Sequence, residues 1–317
     1  MNTSFELNDG HRIPAIGLGT WKSKDDGAYR AVREAIAVGY RHIDGAWIYG
    51  NEDQVGRAIG DAVRAGDVTR EELFVTTKLW NSFHAPDDVE RAMGESLKSL
   101  ALDYVDLYLM HWPIAFRPGV MIPDEDSQFW PLSDMPLEVT YEAMLRLKER
   151  GLTKSVGVSN FSVNKLEVLA AAVEQFPAVN QVELHPYHPQ EKLLAYCAKT
   201  KVHLTAYSPL GSRDRPPRLL QQGEPTLLES SSLQDVAKRA ELTPAQLLIA
   251  WAIDRGTSVI PKSENPDRIR QNFVHLPHAL DEQTRAAVDA IATRFRFVNP
   301  QGMFRDGVTH EGSDFWA

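Results

Sequence analysis

The sequence predicts an α/β fold: a (β/α)8 TIM barrel with an N-terminal β-hairpin and long loops on its C-terminal face. Three observations lead there. Eight strand-like runs alternate with amphipathic helix-like runs, which implies a parallel sheet. Eight such units close naturally into a β/α barrel of about 250 residues, and the chain has 317. The competing doubly wound sheet lacks its signature, because Gly17-Leu18-Gly19 is followed by Lys22 where a third glycine is needed.

The elements follow in order. Ser4-Phe5-Glu6-Leu7, the turn Asn8-Asp9-Gly10 and His11-Arg12-Ile13 read as a hairpin. The strands are expected at 15–20, 41–44, 74–78, 105–111, 155–160, 179–184, 203–208 and 258–262. Helices are expected at 28–38, 86–100, 137–150, 163–173 and 244–254, with apolar residues recurring at a 3.6 period, as at Ala31, Val32, Ala35 and Ile36. Pro86 and Pro244 suit a first helical turn, Thr243 suits a cap, and Gly39 and Gly151 suit helix ends. The surplus length falls in 113–136, 209–232 and the tail after Thr293. The first two follow strands four and seven. They therefore lie on the barrel face that carries active sites in such folds.

Composition excludes several classes of function. A 43% hydrophobic and 24% charged chain fits a soluble globular protein. The net charge of −9 disfavours nucleic acid and membrane surfaces as partners. The single cysteine, Cys197, allows no internal disulfide and fits a reducing compartment. Residues 1–6 lack the blocks of a signal peptide. The apolar run 247–253 is far shorter than the roughly 20 residues of a membrane span. A cytoplasmic location is expected.

Asp44, Lys78 and His111 each end a strand-like run, and Tyr49 follows Asp44 by five residues. An unperturbed phenol is a poor acid at neutral pH; a nearby ammonium lowers its pKa, and a carboxylate holds the ammonium in place. A histidine alongside orients a carbonyl or shares proton traffic. Together they make a general acid for an oxygen that gains negative charge, as in carbonyl reduction by hydride. Taken singly, a strand-end Asp and Lys are often a structural ion pair, and a Tyr after a turn usually packs.

The motifs Gly39-Tyr40-Arg41-His42-Ile43-Asp44 and Tyr49-Gly50-Asn51-Glu52 resemble the aldo-keto reductase superfamily, aldose and aldehyde reductases in particular. So do Lys78-Leu79-Trp80, Leu109-Met110-His111-Trp112-Pro113, Gly157-Val158-Ser159-Asn160-Phe161 and Ile260-Pro261-Lys262-Ser263, in the family's order. The resemblance implies one barrel domain over 1–317, with 295–317 contributing to the substrate pocket. It implies a catalytic tetrad in which Tyr49 donates the proton, Lys78 and Asp44 tune it, and His111 orients the carbonyl.

The cofactor follows the same way. Tyr207 ends strand seven with a ring suited to stacking, and Ser159, Asn160 and Gln181 bear groups suited to a carboxamide. By resemblance these four hold the nicotinamide, with Thr20 and Trp21 nearby and Ser208, Leu210 and Ser212 along the pyrophosphate. Asn265-Pro266 reads as a cap and first helical residue, so Lys262 and Arg268 converge with Ser263 on a helix N-terminus, a good anion site. In the family this place holds the 2′-phosphate of NADPH. NADPH (NADP+) is therefore expected, with NADH weaker, and Gln271 and Asn272 near the adenine. An ion pair of Arg268 with Glu264 or Asp267 is the bland alternative. Gly45 and Gln271 depart from the family's usual small polar residue and glutamate; the first was expected to loosen its turn.

Five of seven tryptophans fall where the pocket is expected: Trp21, Trp80, Trp112, Trp130 and Trp316. The substrate candidates are Trp21, Ile48, Trp80, His111, Trp112, Trp130 and Phe304, with Phe116 weaker. Phe129 and Phe315 read as loop pins, Trp47 and Trp251 as packing. The pairs His185/His188 and His275/His278 lack a third ligand and read as non-metal. A monomeric NADPH-dependent reductase of a small carbonyl substrate is the first expectation. A non-catalytic NADP(H)-binding regulatory subunit of the same fold is the alternative.

Overall fold

In the computed structural model, which describes residues 4–273, 279–306, 308–310 and 315–316, eight parallel strands stand side by side in chain order. The antiparallel hairpin β1 (Ser4–Glu6) and β2 (Arg12–Pro14) precedes them, turning at Gly10, whose φ is 85°. The barrel units are β3 (Leu18–Gly19), α1 (Gly27–Val38), β4 (His42–Asp44), α2 (Glu52–Ala65), β5 (Phe74–Leu79) and α3 (Pro86–Leu100). They continue as β6 (Val105–Met110), α4 (Leu137–Glu149), β7 (Thr153–Ser159), α5 (Val163–Ala172), β8 (Val179–Glu183) and α6 (Glu191–Thr200). The circuit ends with β9 (His203–Tyr207), α7 (Ser231–Arg239), α8 (Pro244–Asp254), β10 (Ser258–Val259), α9 (Pro266–Phe273) and the appended α10 (Glu282–Asp289).

The ring closes between its first and last strands. Gly17 N–H donates to Val259 O at 2.9 Å, Val259 N–H to Ala15 O at 2.9 Å, and Gly19 N–H to Pro261 O at 3.1 Å. These two strands are shorter than the sequence suggests. Pro261 has no N–H to extend the ladder, and the seam comprises the isolated bridges Ile16 with Val259 and Gly19 with Lys262.

Side chains alternate as strands require. Leu107 and Leu109 of β6 cluster with Leu7 and Ile13 of the hairpin region, which plugs the N-terminal end of the barrel. Tyr108 and Met110 fall in the larger core shared with the helices. Helix ends follow their local chemistry. Thr243 Oγ1 accepts from Gln246 N–H at 3.2 Å in a reciprocal capping box, and α1 stops at Gly39, whose φ is 117°.

Helices α2, α6, α7 and α10 were not among the expected helices; in α2, Gly56 and Gly60 dilute the pattern. Gly56 is required by packing: a Cβ there would lie 2.2 Å from Leu100 O at the end of α3.

Candidate active site

A cavity of about 1570 Å³ opens at the C-terminal ends of the strands. Asp44 closes β4, Lys78 is the penultimate residue of β5, and His111 follows β6; all three are buried. Tyr49 comes from the 3-10 turn Trp47–Tyr49, which Gly50 ends with a φ of 65°. Parallel strands share a direction, so residues far apart in sequence end on one rim.

Lys78 Nζ donates to Asp44 Oδ1 at 2.6 Å, to Gly45 O at 2.7 Å and to Tyr49 Oη at 3.5 Å. All three ammonium hydrogens have an acceptor, which a fully buried cation requires. The other Asp44 oxygen accepts from Gln181 Nε2 at 2.7 Å. Thr20 donates to Asp44 O through both N–H and Oγ1, at 3.1 and 2.9 Å. The Gly45 turn is not loosened, because Gly45 N–H donates to Thr76 O at 2.9 Å while its carbonyl holds Lys78. His111 meets the Tyr49 ring edge-on at 5.8 Å and Trp80 at 5.3 Å.

The electrostatics correct one expectation. Burial, then the Asp44 carboxylate, push the Tyr49 phenol well above its ordinary pKa. Lys78 was expected to lower it, but burial and Asp44 outweigh the ammonium 3.5 Å away. Burial lowers the Lys78 pKa while Asp44 opposes that shift. Burial, then Lys78, hold His111 well below its usual value. The rim thus carries a protonated phenol beside a neutral imidazole, over a buried ion pair.

The nicotinamide candidates form one hydrogen-bonded set. Tyr207 Oη donates to Asn160 Oδ1 at 2.7 Å, Asn160 Nδ2 donates to His111 O at 2.9 Å, and Ser159 Oγ donates to Gln181 O at 2.7 Å. They line the cavity together with Thr20, Trp21, Ser208, Leu210 and Ser212. Lys262, Ser263, Arg268, Gln271 and Asn272 line the same cavity. Asn265 Oδ1 caps α9 by accepting from Arg268 N–H at 2.9 Å. Lys262 Nζ pairs with Glu264 at 2.9 Å, whereas exposed Arg268 has no ion pair among the described residues.

Ile48, Trp80 and Trp112 line the cavity, but Trp130 and Phe304 do not line it among the described residues. Trp130 lies under the Arg117 guanidinium at 3.5 Å, and Phe304 stacks on Phe315 at 4.1 Å. Both pin loops. Phe116 and Phe129 pack edge-to-face at 5.4 Å, while Trp47 meets Phe83 at 4.7 Å and Trp251 is buried. His185 Nε2 meets Glu183 at 2.8 Å and its Nδ1 accepts from His188 N–H at 3.1 Å, so both ring nitrogens are engaged within the protein. His275 and His278 lie outside the described residues.

One part of the site escaped the sequence reading. Asp214, in the loop after β9, lies 3.2 Å from Lys22 Nζ and 3.6 Å from Lys262 Nζ. The Lys22 contact is an ion pair. That loop has no period that announces its place. Residues 298–303, part of the 295–317 tail named from the sequence, also line the cavity.

Comparison with known proteins follows the same lines. The model of the Aldo/keto reductase family matches residues 15–293. The chain is 43% identical over 312 residues to an aldo/keto reductase of Synechocystis, covering 98% of this chain and 95% of that protein. It is 44% identical over 299 residues to aldo-keto reductase family 1 member A1 of Xenopus tropicalis, covering 93% and 90%. An uncharacterized oxidoreductase of Schizosaccharomyces pombe is 41% identical over 299 residues, again covering 93% and 90%.

Proposed function

This chain belongs to the aldo/keto reductase family, oxidoreductases of small carbonyl compounds, and on that premise we propose an NADPH-dependent reductase of aldehydes, ketones or aldoses. Tyr49 is the general acid. The observation that carries this reading is the position of the Tyr49 phenol, 3.5 Å from the ammonium of Lys78 and edge-on to His111.

The proton of Tyr49 goes to the carbonyl oxygen as that oxygen gains negative charge. The phenolate left behind faces the Lys78 ammonium, which stabilises it. Asp44 keeps that ammonium charged against the cost of burial, and Gln181 keeps Asp44 in place. Neutral His111 orients the carbonyl.

A nicotinamide nucleotide, when bound, supplies the hydride. The residues present fit such a group. Asn160, Ser208 and Ser212 line the cavity with left-handed backbones, at φ of 65°, 48° and 40°. Strain of this kind persists where a wall must follow a ligand. Tyr207 offers a ring, and Asn160 and Gln181 offer amides. Arg268 supports a 2′-phosphate, and hence NADPH over NADH, because it is exposed without an ion pair among the described residues. Gln271 and Asn272 complete the adenine end.

Among the described residues no helix is long and apolar enough to cross a membrane. The proposed enzyme is a cytoplasmic monomer, one barrel domain with a tail that shapes the substrate pocket. The test is consumption of NADPH with 4-nitrobenzaldehyde. Wild type is expected to turn over, and Tyr49→Phe to lose about 10²–10⁴-fold in kcat/KM while binding NADPH within twofold of wild type. No turnover by wild type would refute the reading and favour the non-catalytic subunit. Near-normal turnover by Tyr49→Phe would refute the acid.

A further inference from the structure

The carboxylate of Glu183 is fully buried at the end of β8, two residues beyond Gln181 and so on the same face of the strand. It has no part in the proton path described above. Its oxygens accept three hydrogen bonds: from Phe297 N–H at 2.6 Å, Val298 N–H at 2.7 Å and His185 Nε2 at 2.8 Å. Because His185 Nδ1 accepts from His188 N–H, the imidazole proton sits on Nε2 and points at the carboxylate. Burial alone would raise the pKa of this acid, but the bond from His185 and the charge of Arg296 hold it down. A buried anion so fully satisfied is a fixed point.

What it fixes is the C-terminal tail. Phe297 and Val298 are consecutive, so one carboxylate holds the N–H groups of two successive peptide planes. The residues that follow at once, 298–303, line the cavity that also contains Tyr49 and His111. The Phe297 ring is seated too, 5.1 Å from the buried Arg215 guanidinium and against Gly211, where a Cβ would meet the ring at 3.3 Å. The tail has a separate tether just upstream, since Phe295 N–H donates to Tyr187 O at 2.8 Å. Loss of the Glu183 contacts would leave the tail attached but free the segment that faces the cavity.

We propose that Glu183 is a positioning residue for substrate selection, setting the register in which the C-terminal tail enters the substrate cavity. It acts through the backbone of 297–298 and touches neither substrate nor cofactor. This rests on the reductase reading for its kinetic test and is independent of it for its structural one.

The variant is Glu183→Gln, which keeps the size of the side chain and turns one acceptor into a donor facing an N–H. Propanal is too small to need the tail; 4-phenylbenzaldehyde extends toward it. For Glu183→Gln, KM for 4-phenylbenzaldehyde is expected to rise at least tenfold, while kcat for propanal and the Kd for NADPH stay within twofold. Glu183→Asp should recover part of the KM. Equal losses on both aldehydes, or none on either, would overturn the proposal.

A second measurement needs neither turnover nor a folded variant. In wild-type protein, hydrogen exchange at Phe297 and Val298 should be the slowest within 297–303. Exchange there as fast as at Gln301 and Gly302 would overturn the proposal whatever the enzyme reduces. Absence of carbonyl reduction in wild type would instead sink the reductase reading and leave the exchange result standing.

Discussion

Gln181 Nε2 donates to Asp44 Oδ2 at 2.7 Å, so a residue of β8 holds the carboxylate that pairs with Lys78 of β5. The contact spans 137 positions of sequence. It ties the proposed nicotinamide wall to the proposed proton donor. Gln181→Glu would set a second carboxylate against the first, and like charges at contact distance resist joint ionisation. We expect kcat to fall about 10²-fold, more than in Gln181→Ala. Steady-state kinetics on the two variants decides it; a fully active Gln181→Glu would show that the contact has no bearing on the acid.

The Lys78–Asp44 pair is buried on both sides. Lys78→Met leaves Asp44 as an unpaired buried charge, with an expected loss of about 3–5 kcal/mol in stability. Lys78→Met combined with Asp44→Leu removes both charges and should regain most of that loss, without activity. Urea unfolding of the two variants separates electrostatics from packing. A double variant no more stable than the single one would mean that packing dominates.

Arg268 tests the choice of cofactor. A fixed cation recognises the 2′-phosphate that NADPH has and NADH lacks. Arg268→Ala should therefore raise the Kd for NADPH by about tenfold or more, the worth of a charge-assisted contact, and change that for NADH less than twofold. Fluorescence titration reads both. Equal losses would refute the assignment.

Stability should fall on acidification well before carboxylates titrate. Burial holds His42, His84 and His203 neutral, each with its pKa lowered to about 3. Below about pH 6.5 the unfolded chain binds protons at these rings and the folded chain does not. Their stabilisation is thus complete above that pH and is lost as pH falls toward 3. Each contributes a slope of about 1.4 kcal/mol per pH unit over that window. Urea midpoints at pH 7 and 5 measure it. His84 has neither ring nitrogen hydrogen-bonded, so His84→Met should flatten the slope by one histidine's share; an unchanged slope would show that other groups set it.

The sequence made the strand ends legible because apolar runs there stop at a polar residue. Asp44, Lys78 and His111 could be picked out that way, and parallel topology did the rest. Helix starts at Pro86 and Thr243-Pro244 were legible because capping chemistry is local. Asp214 was not, since only chain closure brings that loop between Lys22 and Lys262. Helix α2 was hidden by a glycine that packing demands. Trp130 and Phe304 misled because a loop aromatic has the same sequence signature whether it lines a cavity or pins a loop. The direction of the Tyr49 shift was argued from Lys78, and burial, which no local pattern reports, reverses it.

The seam of the barrel has a consequence of another kind. The proposed proton-transfer residues all lie on β4 to β6 and their loops, and the proposed dinucleotide wall lies chiefly on β7 to β10. Along the sheet the two arcs join at β6 with β7 and, through β3, at the short closure of β10. Such a layout makes the second arc a transplantable cassette, exchangeable between homologues to alter redox-carrier preference while the first arc stays intact. One side chain cannot travel freely in that exchange: whatever donor arrives at position 181 must still reach Asp44 across the ring.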